Sequence, residues 1–378
     1  MILTTKSLFF QKNIWLPLLV ALTPMTSFPL YAAVKTADVK KANDNFESGL
    51  HYYHGHNVAQ SYSQAREYFQ KAADLGHAEA QFYLGALYER GKGVARNYKT
   101  AFSWYQKAAD QGFVKAENNV GSMYQYGVGV PQNFQAALTW LQRAAGQGDK
   151  VAQTNLGDMY YQGLGTAQDY KTAAIWYQKA AAQGYALAEY NLGVMYSQGQ
   201  GVTQDMATAA TWYQKAADQK FPAAEYNVAY LYEKGQGVVQ DQKVALAWYQ
   251  KAADQGFVKA QLNLASLLYH QAKGKAQNYK EAAVWYQKAA AQGDVVALFM
   301  LGKMAHLGEG AARNDVDAYR WFSLAAGLGL KNAENNCQVL SKMMTPAQIA
   351  EAKKEAQSWL DKHPSFPVKK LNPAGQDK

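Results

Sequence analysis

The chain has few of the residues that would carry chemistry. Cys337 is its single cysteine in 378 residues, so no disulfide framework can form and packing must carry stability. Cys337 falls in register with Leu156 and Leu192 of earlier repeats, which makes it a small core residue rather than a reactive thiol. No His-Glu-x-x-His, Cys-x-x-Cys or Ser-x-x-Lys occurs, so the commonest metallopeptidase, thiol-redox and penicillin-recognising signatures are missing. His51, His54 and His56 are the only clustered histidines. They lack a carboxylate or fourth ligand at useful spacing, so we read them as solvated or packed side chains and assign no metal or cofactor. The 38 basic and 29 acidic residues give +9, yet there is no block of five like charges. That spread, without an RNA- or DNA-reading motif, argues against a nucleic-acid partner.

Long apolar runs are also scarce. The one near the start, Ile14 to Leu22, follows Lys6 and Lys12 and precedes Pro24, Pro29 and Tyr31-Ala32-Ala33. A charged start, a short apolar core and small residues near position 33 read as a secretory signal peptide over residues 1–33, set against an apolar N-terminal helix of the fold. The run is too short to span a bilayer, and Pro17 interrupts it. We therefore expect an exported, periplasmic or secreted protein with no stable membrane anchor. Nothing in the sequence sets an oligomeric state.

What the chain does have is a repeat. The phrase Trp176-Tyr177-Gln178-Lys179-Ala180-Ala181-Ala182-Gln183-Gly184 returns with its aromatic at Tyr68, Trp104, Trp140, Trp212, Trp248, Trp285 and Trp321. Successive spacings are 36 residues, with a single 37, and seven of the nine tryptophans share the register. A fixed period of this length marks a stack of one supersecondary unit. Within residues 185–220, Ala188, Leu192, Met195 and Tyr196 form the stripe of a first amphipathic helix. Gly199-Gln200-Gly201-Val202 ends it. Ser61, Asn97, Asn133, Asp169, Asp205, Asp241, Asn278 and Asn314 each stand seven residues before the aromatic and cap a second helix. Its buried face is Ala209, Trp212, Tyr213 and Ala216, with the indole filling the gap between repeats. A glycine closes each second helix, except at Lys220. The Gly-x-Gly pairs follow helices and lack a third glycine, so they are turns and not phosphate loops.

The phrases Ala188-Glu189-Tyr190-Asn191-Leu192-Gly193, Gly199-Gln200-Gly201-Val202 and Trp212-Tyr213-Gln214-Lys215-Ala216-Ala217 resemble the Sel-1-like repeat, a relative of the tetratricopeptide repeat with a longer turn. The resemblance covers about residues 41–340. It implies an all-α chain: a right-handed αα superhelix of about eight helix–turn–helix units, first helices lining the concave side, which holds protein or peptide partners. Exported members in intracellular bacterial pathogens act on host cells. The chain lacks the cysteines of the disulfide-rich subgroup, so nothing tied to that subgroup carries over. We divide the chain into the leader 1–33, a repeat region 34–344, a capping helix 345–360 opened by Thr345-Pro346-Ala347-Gln348, and a loose tail 361–378. The units are about 41–76, 77–112, 113–148, 149–184, 185–220, 221–256, 257–293 and 294–329, followed by a degenerate half-unit. An extra residue near Gln271-Ala272-Lys273, with a turn glycine missing, predicts a local irregularity.

One stripe changes from unit to unit while the core positions barely vary. It lies 200° from the core stripe on the first helix. Its residues include Asn118, Ser122 and Tyr126, then Asp158 and Tyr161, then Tyr190 and Ser197, then Tyr226, Tyr230 and Glu233. Varied polar residues with aromatic anchors suit a recognition surface. The other reading is that these tyrosines pack between neighbouring first helices. We expect a non-enzymatic scaffold that binds a protein or peptide on this stripe. The alternative is a periplasmic envelope factor that binds peptidoglycan or a cell-wall enzyme.

Overall fold

A computed structural model describes residues 36–272, 276–364 and 366. The leader 1–33 and most of the tail lie outside the described residues. The chain divides into two compact units, 1–205 and 206–378. The first contains α1 (Thr36–His54), α2 (Tyr62–Asp74), α3 (Ala78–Arg90), α4 (Tyr98–Asp110), α5 (Val114–Tyr126), α6 (Phe134–Gly146), α7 (Lys150–Gln162), α8 (Tyr170–Ala181) and α9 (Ala186–Gln198). The second contains α10 (Met206–Asp218), α11 (Pro222–Lys234), α12 (Gln242–Asp254), α13 (Val258–Gln271), α14 (Ala276–Ala291), α15 (Val295–Leu307), α16 (Asp315–Gly327), α17 (Lys331–Ser341) and α18 (Pro346–Lys362). No strand occurs among the described residues. Within each unit, helices pack mainly on their neighbours in sequence, as helix hairpins do.

Each hairpin is closed by local chemistry. Second helices start where Ser61, Asn97, Asn133, Asp169, Asp241 and Asn314 accept a backbone N–H three residues on. First helices end on a left-handed glycine, as at Gly127 (φ 67°). In several turns a glutamine then satisfies an orphan carbonyl: Gln132 Nε2 donates to Gln125 O at 2.8 Å and Gln240 Nε2 to Glu233 O at 2.8 Å. The second turn glycine serves the neighbouring repeat. A Cβ at Gly129 would lie 2.3 Å from Tyr98 O, so only glycine lets the turn sit on the start of the preceding second helix.

The core knob is the residue after the tryptophan. Tyr105, Tyr177, Tyr249 and Tyr286 are fully buried, with Phe69, Leu141 and Phe322 in the same register. The knob fits against a small residue of its hairpin partner: a Cβ at Gly157 would meet the Tyr177 ring at 2.6 Å. The indole beside it is shallower and packs on the preceding repeat, as Trp140 and Trp176 do. Trp104, Trp140, Trp176 and Trp248 are only half-buried, although Trp285 and Trp321 are buried. The side chain three residues on lies over the ring: Lys107 Nζ is 3.8 Å from the Trp104 centroid and Lys251 Nζ is 3.4 Å from that of Trp248.

A second link joins consecutive repeats. Gln81, Gln153 and Gln261 donate to Ala73 O, Ala145 O and Ala253 O of the preceding second helix, at 3.1–3.2 Å. They in turn accept from Gln111, Gln183 and Gln292 at 2.7–2.9 Å. Glu117 and Glu225 replace glutamine here. Gln147 and Gln255 still donate to them at 2.7 Å, but a carboxylate cannot donate to the carbonyl. Burial raises the pKa of both; Arg143 opposes the rise at Glu117 and Gln255 opposes it at Glu225.

Two positions depart from the repeat rule. Asn278 is not a cap, because α14 begins at Ala276 and includes it. Ahead of it α13 lacks its terminal glycine, and Ala272 stays in the right-handed helical region (φ −59°, ψ −43°), so the usual turn is not made. Lys220 takes the left-handed conformation (φ 62°) that glycine adopts at the other second-helix ends, such as Gly256 (φ 83°). Cys337 is buried in the core, which pushes its thiol up to about 12. Thr345 and Gln348 form the capping box of α18, and Trp359 meets Trp321 edge-on at 5.8 Å.

Replacing Lys220 by glycine relieves left-handed strain and should raise stability by about 0.5–1 kcal/mol in urea unfolding. An unchanged or lower midpoint counts against strain there. Glu225→Gln should stabilise by about 1 kcal/mol at neutral pH, because it restores the missing donor and removes a buried charge. A folded-state pKa above the unfolded one gives stability that is present at low pH and is lost as pH rises through the folded value. The variant's advantage should therefore shrink as pH falls toward the ordinary glutamate range. A pH-independent gap would assign the effect to something other than Glu225 ionisation.

Candidate functional site

The variable stripe falls on the first helices, and its depth differs along the chain. In α5 and α7, Asn118, Ser122 and Asp158 are buried, as is Tyr190 in α9. This corrects their reading as contact residues: side chains closed off from water hold the structure together instead. Asn155 Nδ2 donates to Asn118 Oδ1 at 2.9 Å and to Ser122 Oγ at 3.3 Å, which ties α7 to α5. Asp158 accepts from the Tyr177 hydroxyl at 2.6 Å and from Asn191 Nδ2 at 3.5 Å. Tyr126, Tyr161 and Ser197 are half-buried. The Tyr161 hydroxyl donates to Gln200 Oε1 at 2.6 Å and its ring lies 4.9 Å from Tyr170. Ser197 Oγ donates back to Val194 O.

The Tyr177 arrangement recurs. Tyr105 donates to Glu89 Oε2 at 2.6 Å, and Tyr249 to Glu233 Oε2 at 2.8 Å. The next first helix adds an asparagine to each hydroxyl: Asn119 to Tyr105, Asn191 to Tyr177, and Asn263 Nδ2 to Tyr249 at 3.0 Å. Each acid–tyrosine–asparagine set thus spans three consecutive helices. Burial first, and the acid second, push the Tyr105 and Tyr177 pKa values well up, so these hydroxyls stay protonated donors. Sequence reasoning missed these residues. The signal was there, as asparagine recurs at 119, 155, 191, 227 and 263 beside the apolar stripe.

The stripe is more open in the second unit. Tyr230 is 38% exposed, with Lys234 Nζ 5.8 Å from its ring centroid. Tyr226 is half-buried against Tyr249 and Phe257, and Asn263 Nδ2 donates to its hydroxyl at 3.4 Å. Glu233 pairs with Lys234 besides accepting from Tyr249. At the N-terminal end of the first unit, His54 stacks on His56 and His51 Nδ1 lies 3.1 Å from His56 O. Among the described residues no group of three or more His, Cys, Asp or Glu is placed to hold a metal ion. No described helix is long and apolar enough to cross a membrane.

The Sel1 repeat family matches eight consecutive segments, 45–77, 78–113, 114–149, 150–185, 186–221, 222–257, 258–294 and 295–330. The chain belongs to the Sel1 repeat family. Among solved structures it is similar to a Sel1 repeat protein from Oxalobacter formigenes, at 31% identity and a TM-score of 0.61 over 82% of this chain and 88% of that one. It is also similar to a protective antigen of uropathogenic Escherichia coli strains with the same repeat fold, at 27% identity and a TM-score of 0.53 over 91% and 98% of the two chains. No curated protein matches it. As a Sel1 repeat chain it is an all-helical scaffold of a kind that generally binds proteins and is generally not catalytic.

Tyr177→Phe removes the hydroxyl that Asp158 accepts inside the repeat, and should cost about 1–3 kcal/mol in denaturant unfolding. Tyr105→Phe should cost less, because Glu89 is only half-buried and can turn to water. Equal losses would sink the idea that depth sets the worth of these bonds.

Proposed function

We propose that this chain is an exported, non-catalytic repeat scaffold that holds a protein or peptide partner on its first-helix stripe, in the manner of a host-interaction factor. The observation that carries the reading is the contrast along the stripe. Where its polar side chains are buried they are spent on internal hydrogen bonds. Where it opens, it presents an aromatic, Tyr230, among charged side chains. Aromatic rings that are fixed by packing yet reachable from outside are good anchors for a partner. Export rests on residues 1–33, with their charged start and short apolar core. The protective-antigen relative supports a site of action outside the cytoplasm. The same leader also allows a periplasmic factor bound to peptidoglycan or to a cell-wall enzyme.

Immobilised chain should retain a defined partner from host or envelope extracts, identified by mass spectrometry. Tyr230→Ala should weaken that retention by about tenfold while the thermal unfolding midpoint stays within a degree or so, as for a surface substitution. Undiminished retention would remove the stripe from the reading. Fractionation of producing cells decides between the two partners: protein in the medium or in host cells favours the first, and protein held in the periplasm favours the second.

A further inference from the structure

We infer that the first-helix stripe of the second unit takes a peptide whose apolar side chains are flanked by carboxylates. The inference rests on the partner-binding reading above and narrows it to one end of the chain and one chemistry.

The apolar half comes from exposure. Leu307 is 54% exposed, Val339 56% and Met343 57%. Leu307 lies at the end of α15, Val339 in α17 and Met343 just beyond it. Leu307 and Met343 stand 36 residues apart in the repeat register, as do Lys303 and Val339. Residues four apart share a helix face, which puts Lys303 with Leu307; Met343 follows Val339 in the turn that ends α17. In the first unit the positions that match Lys303 and Val339 are Ala86, Ser122, Asp158 and Val194, all buried, while those that match Leu307 and Met343 are Arg90, Tyr126, Gln162 and Gln198, open or half-open but not aliphatic. No first helix from α3 to α9 carries an exposed large hydrophobic residue. The opening at α17 has a structural cause. The following helix, α18, packs on α16, and Gln338 replaces the glycine or alanine that elsewhere receives the hairpin knob. Three exposed aliphatic side chains on adjacent register positions need a cover.

The charged half comes from which ions are already satisfied. α13 and α15 contain no Asp or Glu. Glu309, two residues beyond Leu307, is committed, because it accepts the Tyr269 hydroxyl at 2.8 Å. Lys303 Nζ lies over the Tyr269 ring at 5.2 Å. Among the described residues neither it nor the exposed Lys342 has a carboxylate within ion-pair distance. Glu334 of α17 lies five residues before Val339, on another side of the helix. Two uncommitted ammonium groups beside an aliphatic patch complement a peptide bearing both apolar and acidic side chains. The chain's own C-terminal residues have the wrong sign for this role, with Lys369, Lys370 and Lys378 against Asp377.

The test is selection from a random linear peptide library displayed on phage, against the immobilised full chain. Winning peptides are then resynthesised and titrated by fluorescence anisotropy at two salt concentrations. The inference expects Leu, Met or Phe next to Asp or Glu in the winners. Lys303→Glu with Lys342→Glu should weaken binding by about tenfold or more and flatten its salt dependence. Leu307→Ser should weaken it comparably, with the melting curve of each variant unchanged. Winners without carboxylates, or winners indifferent to these substitutions yet lost on Tyr230→Ala, overturn this inference and leave the scaffold reading standing. An empty selection overturns both. Sedimentation showing self-association that Leu307→Ser abolishes would give the patch to a second copy of the chain, and would also overturn the inference.

Discussion

The structure depends on one close contact, repeated: an aromatic or aliphatic knob from the second helix seated on a small residue of the first. Gly157 beneath Tyr177 shows why the site tolerates no more volume, since a single added carbon would lie within the ring's contact distance. The contact fixes how near the hairpin's two helices run, and so sets what their other side chains can reach. The flanking alanines, such as Ala180 and Ala181, are buried for the same reason. Each repeat then needs only its neighbours to complete its core, which is the energetic logic of repeat proteins.

Polar groups enter that core under control. Tyr177 carries a hydroxyl into a fully buried position, where an unpaired donor is costly. Asp158 and Asn191 answer it from the two adjoining first helices. A directional bond of this kind specifies register in a way that alanine packing does not, because sliding one helix past the other breaks it. The glutamine link does the same work at the other end of the hairpin, from Gln153 to Ala145 and Gln183.

Much of the architecture was legible in the chain because its causes are local. The 36-residue period, the cap residues such as Asn97 and Asn133, and the turn glycines each act through backbone neighbours a few residues away. Asn278 misled because a cap residue works only where the preceding turn is made, and α13 has no glycine with which to make it. Periodicity put the tryptophan and the tyrosine beside it on one buried face, but did not say which of the two lies deeper; the close seat on Gly157 gives that to the tyrosine. The stripe was the least legible feature. Periodicity tells which way Asp158 or Tyr230 points, but not how closely the next first helix approaches. That distance decides whether a side chain becomes internal, like Asp158, or stays open, like Tyr230.

The lysines over the tryptophans have a consequence for behaviour in crowded solution. Half-open indoles would be adhesive, able to pack against the same rings on another molecule. Here Lys107 and Lys179 in the first unit, and Lys215 and Lys251 in the second, each roof one such ring within about 4 Å of its centre. Each ring thereby sits behind a like charge, and two copies repel at these positions before their rings can meet.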